Sequence, residues 1–297
     1  MAKIPLAARR NFRDVWEAKK SEIEAAISQL LGVAWVVEVD PQVLHSCGEG
    51  WSKDRPGEVV AGYIEYLIEN LRIFLNSYGD DGKEELNVLC EHHQITIVPD
   101  DTGRVIYSGC DIKGGVFRIL FAAHHLGTNA YDATRYLHEA FLHISPRTGQ
   151  KMNLIARNSI RTDYLPGIEV VRAAIADILN IPDIRLTPNF EENYAVLDGS
   201  RDAPSGWEKN LGAFTLAYFV GLRGTLEYER FAGDAMMQEG FLDVVSGREV
   251  SLRIVKKMVK GTYNEAVVEG GVLYLQTTAG DWSCNINDAA SNIMELL

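Results

Sequence analysis

Apolar residues recur at spacings of three and four from Phe12 to Leu31 (Phe12, Val15, Trp16, Ile23, Ile27, Leu30, Leu31), the stripe of an amphipathic helix that Gly32 ends. Val33–Val39 is β-branched and almost continuously apolar, which predicts a strand covered on both faces and closed by Asp40-Pro41. Residues 45–58 have the composition of a loop. A second stripe (Val60, Tyr63, Ile64, Leu67, Leu71, Phe74) predicts a helix from Val59 to Tyr78, broken by Gly79-Asp80-Asp81-Gly82 and followed by a short helical piece to Leu89.

Alternation then replaces the helical period. Residues 93–98, Val105–Tyr107 and Val116–Phe121 read as three strands, with a turn at Asp100–Gly103 and a tight hairpin at Gly114-Gly115, where glycine supplies positive φ. The simplest pairing is a three-stranded antiparallel meander. A helix starting near Asn129, capped by Asn129 or Thr128, closes the unit.

Most of this is written twice. Within Lys113–Leu142, residues 113–141 align without a gap on Glu269–Leu297 at a constant offset of 156, with Gly114, Gly115, Val116, Ala123, Asn129, Asp132, Ala133 and Glu139 recurring as identities. Upstream, AAISQLLG at 25–32 matches AAIADILN at 173–180 at an offset of 148, so eight extra residues enter the second copy, placed by composition near the DGSRDAPSG loop and Gly233. Ile184 and Leu186, Leu211–Phe231, and Val250, Leu252 and Ile254 repeat the first copy's strand, helix and alternation.

The expectation is an α+β fold of two similar lobes arising by duplication, each an antiparallel-rich sheet covered by helices: residues 1–144, a connector at 145–165 that breaks all periodicity, and 166–297.

Composition narrows the function classes. The 297 residues are 46% hydrophobic with a net charge of −12, and 15 Lys/Arg against 21 Asp/Glu in residues 1–150 and 14 against 20 in the rest put −6 on each half. Such surfaces repel phosphate backbones and anionic lipid, so neither nucleic acid nor a membrane is an expected partner. The start has no apolar leader region, which predicts a cytoplasmic protein. Cys47, Cys90, Cys110 and Cys284 lack metal or disulfide spacing and read as reduced thiols; Cys90 and Cys110 would lie on neighbouring strands.

Chemistry, if present, belongs to the first lobe, which holds all seven histidines (His45, His92, His93, His124, His125, His138, His143); Gly280, Asp281 and Met294 stand opposite His124, His125 and His138. Imidazole suits proton transfer and metal ligation, so His93, His125 and His138 with Asp111, Cys90 or Glu91 form the candidate set. Against it, His93 shares parity with Ile95 and Ile97, His138 stands opposite a methionine, and no H-E-x-x-H or G-x-S-x-G motif occurs. Asp80-Asp81 and Asp100-Asp101 lack the register of a calcium loop.

The reading that follows is a soluble intracellular binding or assembly protein of two copies, with no metal or cofactor. Its partner is a protein or small molecule, and a second copy of the chain is among the options. The alternative is an enzyme with a histidine site in the first lobe.

Overall fold

The computed structural model describes residues 3–142, 144, 146 and 149–297. The chain divides into two compact units, Met1–Gln150 and Lys151–Leu297. The architecture is α+β, with one four-stranded mixed sheet in each unit.

The first unit runs α1 (Leu6–Asn11), a π-helical turn (Phe12–Glu17), α2 (Ala18–Leu31), β1 (Val36–Val37), α3 (Pro41–Cys47), α4 (Trp51–Asp54), α5 (Pro56–Leu89), β2 (Gln94–Pro99), β3 (Ser108–Lys113) and β4 (Val116–Phe121). Two 3₁₀ segments follow, Ala130–Ala133 and Leu137–Phe141. The second unit runs α6 (Leu154–Ser159), a π-helical turn (Ile160–Tyr164), α7 (Leu165–Leu179), β5 (Arg185–Thr187), α8 (Phe190–Asp198), a 3₁₀ turn (Trp207–Asn210), α9 (Leu211–Tyr228), α10 (Ala235–Val244), β6 (Glu249–Ile254), β7 (Asn264–Glu269) and β8 (Val272–Thr277), with 3₁₀ turns at Ile286–Asp288 and Ile293–Glu295.

The antiparallel meander is not what forms. The strand orders are β1-β2-β4-β3 and β5-β6-β8-β7, and only the last pair in each sheet is antiparallel; the other neighbours run parallel. The return piece at 105–107 is not a strand. Asp100 accepts from Thr102 N, Thr102 Oγ1 and Val105 N, a turn that carries the chain one strand-width past β2. The Gly114-Gly115 hairpin then brings β4 back into the gap. Burial explains the order: VFRILF gains a neighbour on each side, whereas SGCDIK, with a carboxylate and a lysine, takes the edge.

Other expectations also change in detail. Only Val36–Val37 of the Val33–Val39 run is strand, and Val33 and Val36 are exposed, because Glu24 Oε1 of α2 accepts Val37 N–H at 2.8 Å where a further strand would bond. The loop at 45–58 is largely helical, since Asp40 caps α3 through Gln42 N and Val43 N, and Pro56 opens α5. Residues 154–164, assigned to the connector, form α6 and the π turn. The break at Gly79 is real (φ 61°, ψ −147°) but lies inside α5. The helix expected at Asn129 is two 3₁₀ pieces, because Asn129 adopts a left-handed conformation (φ 52°) that cannot cap, and buried Thr134, held by Asn70 Nδ2 at 3.0 Å, interrupts the run. Cys90 ends α5 instead of lying on a strand, and the four cysteines are free thiols.

Corresponding strands share register. Arg185 takes the place of Val36 (offset 149), Glu249 that of Gln94 (155) and Asn264 that of Ser108 (156). Each sheet buries one face on its helices, Ile95, Ile97, Phe117, Ile119 and Phe121 in the first unit and Val250, Leu252, Leu273 and Leu275 in the second.

Candidate binding grooves

A buried tyrosine on the long helix of each unit fixes a left-handed turn. Tyr63 Oη on α5 accepts Gly127 N–H at 3.0 Å, and Gly127 has φ 83° with no room for a side chain beside Trp51. In the second unit Tyr218 on α9 lies beside Ser283 (φ 79°) and donates to Asn264 Oδ1 at 3.1 Å. Burial pushes the phenols of Tyr63 and Tyr218 up to about 12, so both stay protonated.

Two residues further on, Asn129 and Asn285 are again left-handed. The first residue of the edge strand ties each down: Ser108 Oγ donates to Asn129 O at 2.8 Å, and Asn264 Nδ2 donates to Asn285 O at 3.0 Å and Cys284 O at 2.6 Å.

Between the edge strand and the 3₁₀ segments this leaves a groove, about 360 Å³ in the first unit and about 320 Å³ in the second. The linings correspond at the offset of 156: Arg104 with Lys260, Tyr107 with Tyr263, Ser108 with Asn264, Asn129 with Asn285, Asp132 with Asp288 and Glu139 with Glu295. Each groove thus carries a cation, a tyrosine, an asparagine and two exposed carboxylates. A lining of this kind suits a charged, hydrogen-bonding ligand held at an open surface.

Glu265 closes one end of the second groove. It accepts Val259 N at 2.6 Å, Lys260 N and Gly261 N at 2.8 Å, and Gln276 Nε2 at 2.5 Å. Burial raises its pKa, but these backbone donors outweigh burial and hold the carboxyl below the ordinary glutamate range.

The histidine set is dispersed. His93 precedes β2 in a turn (φ 46°), not on the strand, with its ring 5.6 Å from Trp35. His125 stands edge-on to Tyr107 at 5.0 Å, beside the groove. His138 lies between Tyr78 and Tyr136, at 6.4 and 6.2 Å. Asp111 on β3 is engaged by Arg118 at 2.6 Å, with Arg104 at 3.6 Å. Among the described residues no three His, Cys, Asp or Glu side chains form a group that could hold a metal. His143 is outside the described residues. Cys110 lines the first groove, but burial, helped by Asp111 and Glu139, pushes its thiol up to about 12 and leaves it a poor nucleophile; burial does the same to Cys90.

The sequence carries groove residues Asn129, Asp132 and Glu139 as polar identities of the repeat, with a helix start expected only near Asn129. Their signal was chemical: exposed polar residues need not recur to keep a core.

Compared with known proteins, the chain matches no family model, no curated protein and no solved structure. No helix among the described residues is long and apolar enough to cross a membrane.

Proposed function

We propose that the protein is a binding or assembly protein made of two copies of one ancestral α+β unit, each offering the same groove to a positively charged segment of a partner. The observation that carries this is the correspondence of six lining residues at one offset, from Arg104 with Lys260 to Glu139 with Glu295, in polar character as well as position. Each groove has more carboxylates than cations, and each half of the chain is at −6, which favours basic partners and speeds their approach. Among the described residues no histidine lines either groove, so the grooves lend no support to the alternative of a histidine site.

Titration of the isotope-labelled chain with acetyl-Lys-Val-Lys-Val-Lys-amide tests the reading. Amide shifts are expected at Asn129–Asp132 and Asn285–Asp288, weakening with added salt. Asp132→Asn and Asp288→Asn should each cost their own groove about 0.5 kcal/mol, the scale of an exposed ion pair. Shifts confined to other surfaces would defeat it.

A further inference from the structure

The two grooves differ in how the sheet edge is satisfied at one aligned position, Cys110 in the first and Ala266 in the second. The hairpins close at Lys113–Val116 and Glu269–Val272, so alternate residues bond across to β4 and β8 while Cys110 and Ala266 turn N–H and C=O away from the sheet. In the second unit Asn292 answers both groups of Ala266: Oδ1 accepts the N–H at 2.9 Å and Nδ2 donates to the C=O at 2.8 Å. Those are the bonds a residue of an adjoining strand would make, so the side-chain carboxamide occupies the place of a peptide unit.

In the first unit Tyr136 stands at that place. Among the described residues nothing bonds the outward N–H or C=O of Cys110. The groove accordingly reaches Cys110, whereas Ala266 does not line its counterpart. The rim differs as well. Arg135 lies 5.4 Å from the ring of Tyr136, and both Tyr107 and Tyr136 are about half exposed; Ser291 and Asn292 replace Arg135 and Tyr136 in the second unit. Tyrosine and arginine are the side chains that anchor protein interfaces.

We infer that the first groove binds a Lys- or Arg-bearing peptide segment of a partner protein, one main-chain amide of which pairs with Cys110 as the Asn292 carboxamide pairs with Ala266. Charge favours such a segment: the unit is at −6, and its groove carries Glu139 and Asp132, the latter held by Arg135 of the rim at 3.5 Å. The tyrosines flank its side chains. This rests on the binding reading proposed above and adds which groove is open and what part of the partner enters it.

The test uses the full chain and the same blocked pentapeptide. Bound peptide should shift the Cys110 amide and slow its exchange with water. Tyr136→Asn, which copies Asn292, should weaken binding at the first groove about tenfold, the worth of two hydrogen bonds. The reciprocal Asn292→Tyr should make the Ala266 amide exchange faster in the free chain and shift it when peptide is added. Slow exchange at Ile119 shows that a variant has folded. Shifts at Asn129–Asp132 with Cys110 unmoved, or full affinity in folded Tyr136→Asn, overturn the inference and leave the binding reading standing. No shift in either groove overturns both. Self-association of the free chain that Tyr136→Asn abolishes also overturns it, the occupant then being a second copy.

Discussion

At the scale of single residues, Glu265 concentrates the most consequence in one side chain. It is 4% exposed, and it holds three successive backbone N–H groups of the turn that carries Lys260 into the second groove. Since its folded pKa is depressed, the stability it contributes is present at neutral pH and is lost as pH falls through the ordinary glutamate value toward the lower folded one. Glu265→Gln should lower stability at pH 7 by about 1–3 kcal/mol, the cost of charge-assisted bonds to buried donors. Urea melts across pH should show that difference shrinking as pH falls through the acid range. A difference independent of pH would mean the carboxylate's charge is idle. Gly109 occupies the aligned position in the first unit, where Asp100 holds the turn instead.

Among elements, the tightest juncture is the crossing of the first helix over the long helix, and it has the same form in both units. Asn11 Oδ1 accepts Gly57 N–H at 2.8 Å, and Ser159 Oγ accepts Gly212 N–H at 3.0 Å. A Cβ on Gly57 would stand 2.5 Å from the Asn11 carbonyl oxygen, and one on Gly212 closer still to that of Ser159. Backbone cannot swing aside as a side chain does. Gly57→Ala and Gly212→Ala should therefore each lower stability by about 1–3 kcal/mol, the range for overpacking. Gly62→Ala on the same helix meets nothing within 4 Å and should gain up to about 1 kcal/mol from helix propensity. Equal behaviour of the three in denaturant titrations would show the crossing to be loose.

Elements also show where sequence reading stops. The stripe on α5 and the Gly114-Gly115 hairpin were legible because each is decided by residues a few positions apart. That β4 enters between β2 and β3 was not, since alternation reports which face is buried and not which strand lies alongside. The helix expected at Asn129 fails on a left-handed φ that asparagine tolerates but does not announce. Of the site, Asn129, Asp132 and Glu139 were visible as repeated residues. Arg104, Tyr107 and Asn264 were not, because what faces each edge strand follows from the strand order, which alternation does not report.

For the whole molecule, each unit has its own sheet and its own buried core. Residues 1–150 and 151–297 should each fold when expressed alone, with dispersed amide spectra and cooperative melting. A half that stays molten would show that its core is completed by the other.

The offsets themselves have a consequence. They drift from 149 at β1 and β5 to 155 at β2 and β6, then stay at 156 from Arg104 to Glu139. The two units differ in length where chain passes between sheet and helices, and agree where two walls face each other across a fixed gap. Residues 104–139 and 260–295 are in that sense a gauge block, equal in length although most of their side chains differ, and an engineer wishing to exchange one groove for the other would cut at those ends.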